Sequence, residues 1–198
     1  MTKYCCLFTS LLCCLMACKN PTEKQKPFTV GDTAHYYPVN TYIQDQINEN
    51  DLRNLPRTIR ITRNQVKTEQ SLTRDSFLLL SKSFQNAIDW FTANKYQYNE
   101  TLMHDLSTQS YTLSYRPISR SNEELDYLDI LLSEKSQQVK RIDIRRTYTQ
   151  SNQLTNEHLS WRTNKGFLIT RETQVNDSSP IDRVVLDVSW TPENHPRP

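Results

Sequence analysis

A helix with a single greasy stripe sets the terms for this chain. From Arg74 to Ala93, at about 100° per residue, Phe77, Leu80, Phe84, Ala87, Ile88 and Phe91 gather on one side. Lys82, Gln85, Asn86 and Asp89 lie opposite. Thr73 is placed to cap the start, and Asp75 sits near the positive end of the helix dipole. A stripe with three phenylalanines has to be covered by another apolar surface, so the helix cannot stand alone.

The later sequence supplies that surface. Apolar residues recur at every second position in Tyr111–Tyr115, Leu128–Leu132, Ile142–Ile144, Leu159–Trp161, Phe167–Ile169 and Val184–Val188, with Tyr148 further along the strand that begins near Ile142. This is the period of strands buried on one face. Polar turns at Ser133–Gln138, Ser151-Asn152, Thr163–Gly166 and Asn176–Pro180 separate them, and Gly166 is expected to take a left-handed hairpin position. Earlier, Ile59 and Ile61 mark another strand, whose end is not marked between Asn64 and Ser71. Asn94–Gln109 has only a loose pattern. Pro38 followed by Val39, Ile43 and Ile47 predicts a short helix closed by Leu52 and Pro56. The expected fold class is α+β: an antiparallel meander sheet of five to six strands packed on one main helix, plus a short N-terminal helix. In element order alone this resembles the plan of cystatin-like folds, which does not by itself carry function.

The N-terminus speaks to location. Lys3 precedes an uncharged apolar run from Tyr4 to Ala17, shorter than the ~20 residues a bilayer span needs, so it reads as a cleaved export signal. Its end, Leu15-Met16-Ala17-Cys18, resembles the lipobox of bacterial lipoproteins. That resemblance implies a diacylglyceryl group on Cys18 and cleavage in front of it, with no lipid if the signal is an ordinary one. All five cysteines lie at or before position 18, so the exported domain is expected to hold together without disulfides. The same resemblance implies, for a Gram-negative host, a cell-envelope address at the outer membrane, because Lys19 stands where an Asp would direct retention at the inner one, and the lack of an acidic stretch from Lys19 to Pro27 implies that it faces the periplasm. The expected organisation is a signal peptide at 1–17, a lipidated cysteine and spacer at 18–35, one domain at 36–190, and a Pro-rich tail at 191–198.

Composition narrows the chemistry. Loss of Lys3 with the leader leaves 23 Lys and Arg against 22 Asp and Glu, too even a balance to attract a polyanion, and no nucleic-acid partner is expected. Gly31 and Gly166 are the only glycines, which argues against phosphate-cradling loops and dinucleotide cofactors. His35, His104, His158 and His195 stand apart from one another, so no metal site is expected. No catalytic residue is assigned. A scattered triad would need His104 or His158 as its base.

Two surfaces remain as partner candidates. One is the helix flank with Leu79 and Trp90, and the other is an arginine-rich sheet face with Arg141 and Arg145. For the flank, packing against the first helix or a strand edge competes with partner binding. For the arginines, cross-strand pairing with Asp competes with recognition of an acidic partner. The reading that follows is a non-catalytic, lipid-anchored binding or scaffolding domain that meets the membrane through its lipid and another envelope protein through one of these faces. The alternatives are a carrier with an apolar cavity between sheet and helix, lined by residues such as Ile144, Trp161 and Leu186, and, third, a hydrolase.

Overall fold

The computed structural model describes residues 36–119, 125–175 and 179–190. The lipobox with Cys18, the spacer, the tail and the centre of the 176–180 turn lie outside the described residues. The elements, in order, are α1 (Val39–Leu52), β1 (Arg57–Arg63), β2 (Val66–Ser71), α2 (Arg74–Asn94), a 3-10 turn (Lys95–Gln97), β3 (Tyr98–Asp105), β4 (Ser110–Pro117), β5 (Leu125–Ser133), β6 (Val139–Gln150), β7 (Gln153–Arg162), β8 (Gly166–Gln174) and β9 (Asp182–Trp190).

The strands form one antiparallel sheet in the order β2-β1-β9-β8-β7-β6-β5-β4-β3. The α+β class and the meander are as expected, but the sheet has nine strands rather than five to six. The extra strands include both edges. Strand β2 is exposed along its whole length, and β3 beyond Tyr98 is nearly so, with neither showing the alternation that marks a half-buried strand. The β1–β2 turn is made by Asn64 and Gln65, both at positive φ, as in a type I′ hairpin.

Helix α2 begins where expected: the Thr73 hydroxyl accepts a hydrogen bond from the Ser76 amide at 3.3 Å. It crosses the inner face diagonally, from the start of β1 to the start of β3. Phe77, Phe84, Ala87, Ile88 and Phe91 are buried, with Leu80 half-buried at the margin. The inward residues of the central strands meet them. Trp161 stacks on Phe167 at 5.3 Å and receives the edge of Phe84 at 5.2 Å, while Trp190 closes the group against Phe77 at 5.7 Å. Ring pairs of this kind add to the large area that each aromatic buries.

Helix α1 runs beside α2 and completes the inner layer. Val39, Ile43 and Ile47 face in as their spacing predicts, whereas Leu52 is exposed. Tyr42 reaches Thr163 in the β7–β8 turn at 2.6 Å. Asn50 accepts from Arg57 at 2.5 Å, and the same guanidinium lies over Phe77 at 4.7 Å. Burial pulls the Arg57 pKa below its ordinary value.

Gly166 is required for a different reason from the one its turn suggests. The left-handed turn residue is Asn164, at φ 57°. Gly166 has φ +149°, and a Cβ there would collide with the carbonyl oxygen of Val188 on β9. The residue lets two strands approach where one leaves its turn.

Candidate interaction surface

Strand alternation gives the sheet an inner, helix-covered face and an outer, uncovered one. Arg141 and Arg145 both point outward, as their parity on β6 predicts. Outer-face arginines are mostly held by acids. Arg116 grips both carboxylate oxygens of Asp129, Arg141 meets Asp143 at 2.5 Å, Arg162 meets Asp187 at 2.7 Å, and Arg60 meets Glu69 at 2.8 Å. Near the start of β5, Asp129 is engaged in this way and Asp126 accepts from Thr147 at 3.0 Å; Glu123 and Glu124 lie outside the described residues.

Two arginines depart from this pattern. Among the described residues, the carboxylate nearest Arg145 is Asp126 at 3.8 Å, and that nearest Arg183 is Glu172 at 3.5 Å. Neither side chain donates a hydrogen bond among the described residues. These two flank a shallow groove of about 210 Å³. Its floor comes from the register. Tyr127, Arg145, His158 and Thr170 form one cross-strand row over β5 to β8, and Asn156, Glu172 and Arg183 form the next over β7 to β9. Asn156 and Thr170 are the short side chains of the floor, and the arginines stand on β6 and β9, strands about 14 Å apart at three strand spacings. Burial raises the Tyr127 pKa, with Asp143 and Asp129 adding to it, so the phenol stays neutral.

The other candidates are more dispersed. Leu79 and Trp90 share a flank of α2 but stand eleven residues apart, about 16 Å at the helical rise, and form no continuous patch. Leu79 is exposed, and Trp90 is half-buried with its ring edge-on to Tyr98 at 6.1 Å. Strands β1 and β6 are separated by β9, β8 and β7, so their arginines do not build one continuous basic face. His104 stacks on Tyr111 at 4.4 Å and lies 3.2 Å from Glu134. His158 is in the groove, 3.8 Å from Asp143, and no hydrogen bond links it to a hydroxyl among the described residues. No three His, Cys, Asp or Glu side chains converge as metal ligands among the described residues.

Where the carrier reading needs a cavity, rings stand instead. Ile144 and Trp161 are fully buried, and Phe84 and Phe167 occupy the space against Trp161. Leu186 is half-buried at the margin.

The inner face holds a charged group that the sequence reading passed over. The Glu157 side chain is fully buried on β7. One carboxylate oxygen accepts from Arg146 of β6 at 2.7 Å and the other from Arg171 of β8 at 2.6 Å. Arg171 also donates to the Ser83 hydroxyl of α2 at 2.8 Å, tying the helix to three strands. The signal was present: each of the three residues continues the inward parity of its strand beyond the apolar positions. Two tyrosines near α1 are also shielded. Burial, with Tyr42 nearby, pushes Tyr37 up to about 12, and burial raises Tyr115 further, although its hydroxyl oxygen accepts from the Tyr37 amide at 3.1 Å.

No protein-family model, curated protein sequence or solved structure matches the chain. The functional reading therefore rests on its own residues.

Proposed function

We propose that this is a lipid-anchored cell-envelope protein, held through Cys18 at the outer membrane and facing the periplasm. In this reading its domain binds or scaffolds another envelope component without catalysing a reaction. The observation that carries it is the contrast among outer-face arginines. Arg60, Arg116, Arg141 and Arg162 each have a carboxylate oxygen within 2.8 Å, whereas Arg145 and Arg183 stand at 3.8 and 3.5 Å from theirs across a polar groove. A guanidinium presents five donors in a planar fork suited to carboxylates, so two loosely engaged ones favour an acidic segment of a partner protein.

The test is crosslinking in intact envelopes, with Cys18→Ser as the unanchored control and Arg145→Glu/Arg183→Glu as the groove control. A neighbour captured by the native chain and lost in both controls supports the reading. A neighbour retained by the groove variant overturns the assignment of the surface, and co-purified lipid with no protein neighbour favours a carrier.

A further inference from the structure

The two ends of the sheet differ in exposed apolar side chains. The β7–β8 turn lies at one end, against α1. Because every strand reverses direction, the β1–β2, β4–β5, β6–β7 and β8–β9 turns and the start of β3 lie at the other. That far end carries Val66, Tyr96, Ile118, Leu154, Val175 and Ile181, each at least 40% exposed. Toward the α1 end stand Leu52, Leu106 and, near the end of β3, Met103, while Leu79 on α2 and Leu102 in mid-β3 lie between the two ends. Strand ends and turns are ordinarily polar, so six such side chains along one rim form a pattern rather than scatter.

The same rim is where the described chain begins. The Tyr36 hydroxyl donates to the Lys95 carbonyl at 2.8 Å, and its ring stacks on Tyr115 at 5.7 Å, beside the start of β3. The first described residue, Tyr36, therefore sits at the end that bears the exposed apolar residues. No helix among the described residues is long and apolar enough to cross a membrane. The rim offers a different contact: aliphatic side chains and Tyr96, whose amphipathic ring suits the level of lipid headgroups.

We propose that this far rim, centred on Tyr96, Ile118 and Ile181, rests on the lipid bilayer as a second contact beside the N-terminal anchor. The proposal relies on the anchored reading for what brings the bilayer close. A lipid chain tethers without orienting; a rim dipping into the headgroup layer fixes which way the domain faces. With β strands rising from the membrane, the groove between Arg145 and Arg183 then opens sideways, accessible to a neighbour on the same surface.

The experiment uses the full-length chain expressed in bacteria, extracted from membranes and reconstituted into phosphatidylcholine vesicles that contain a lipid with a photoactivatable acyl chain. After irradiation, adducts are mapped by peptide mass spectrometry. The expected result is adducts on peptides carrying Tyr96, Ile118 and Ile181, and none on those carrying Leu52 and Leu106. Ile118→Asp/Ile181→Asp should cut the far-rim adducts at least several-fold, with an unchanged circular dichroism spectrum. Adducts absent from the rim, or spread equally over both ends, overturn the proposal. The mass of the peptide that begins at Cys18 reports the anchor separately, so loss of lipid there and loss of rim contact are distinguishable outcomes.

Discussion

The inner and outer faces of the sheet both use arginine–carboxylate pairs, under opposite conditions. Inside, Glu157 is fully buried and both of its oxygens are taken by guanidinium groups. Outside, Asp129 and Asp143 meet their arginines in contact with water. A buried ion that loses its partner has no water to turn to, whereas an exposed one exchanges its partner for solvent. The inner group therefore acts as a lock between helix and sheet, and the outer pairs keep a bare sheet face soluble. Among the described outer-face arginines, the pairing loosens at Arg145 and Arg183.

The comparison is most severely tried at Glu157. Glu157→Ala leaves Arg146 and Arg171 without their shared carboxylate and should cost about 3–5 kcal/mol in urea unfolding. A loss below about 1 kcal/mol would mean that water reaches this row and that the two faces are alike. A smaller effect is expected outside: Arg116→Ala should cost only about 0.2–1 kcal/mol by the same measurement, despite its two-pronged grip on Asp129.

The smallest effect is a dependence on acid at the β3–β4 turn. Hydrogen bonds from the Ser107 and Thr108 side chains and backbone amides hold the Asp105 pKa near 2, below its ordinary 3.8. A lowered carboxylate pKa stabilises the fold above the unfolded value, and that contribution is lost as pH falls from about 4 toward 2. Asp105→Asn should flatten this part of the stability curve while leaving the neutral-pH fold intact. An unchanged acid slope in the variant would remove Asp105 from the account.

Much of the core was legible in advance. The three-phenylalanine stripe and the alternation on β4 to β9 report burial through spacing alone, because a side chain's direction repeats with its backbone. The edges were not legible: β2 reads Val66-Lys67-Thr68-Glu69-Gln70-Ser71, and a strand exposed on both faces has no reason to alternate. The groove was half legible. Parity sends Arg145 outward, but Arg183 lies 38 positions along the chain, and only the meander sets them on opposite walls. Gly166 likewise announced a turn while serving a close approach to β9.

From its order of residues alone, this protein determines two helices and a run of one-sided strands, since each of these is written in neighbours a few positions apart. Tertiary structure alone decided that β1 closes against β9, that Glu157 lies between two arginines, and that six exposed apolar side chains gather along one rim of the sheet. Those outcomes depend on pairing between distant segments, and pairing energy is set by surfaces that exist only once the chain has folded.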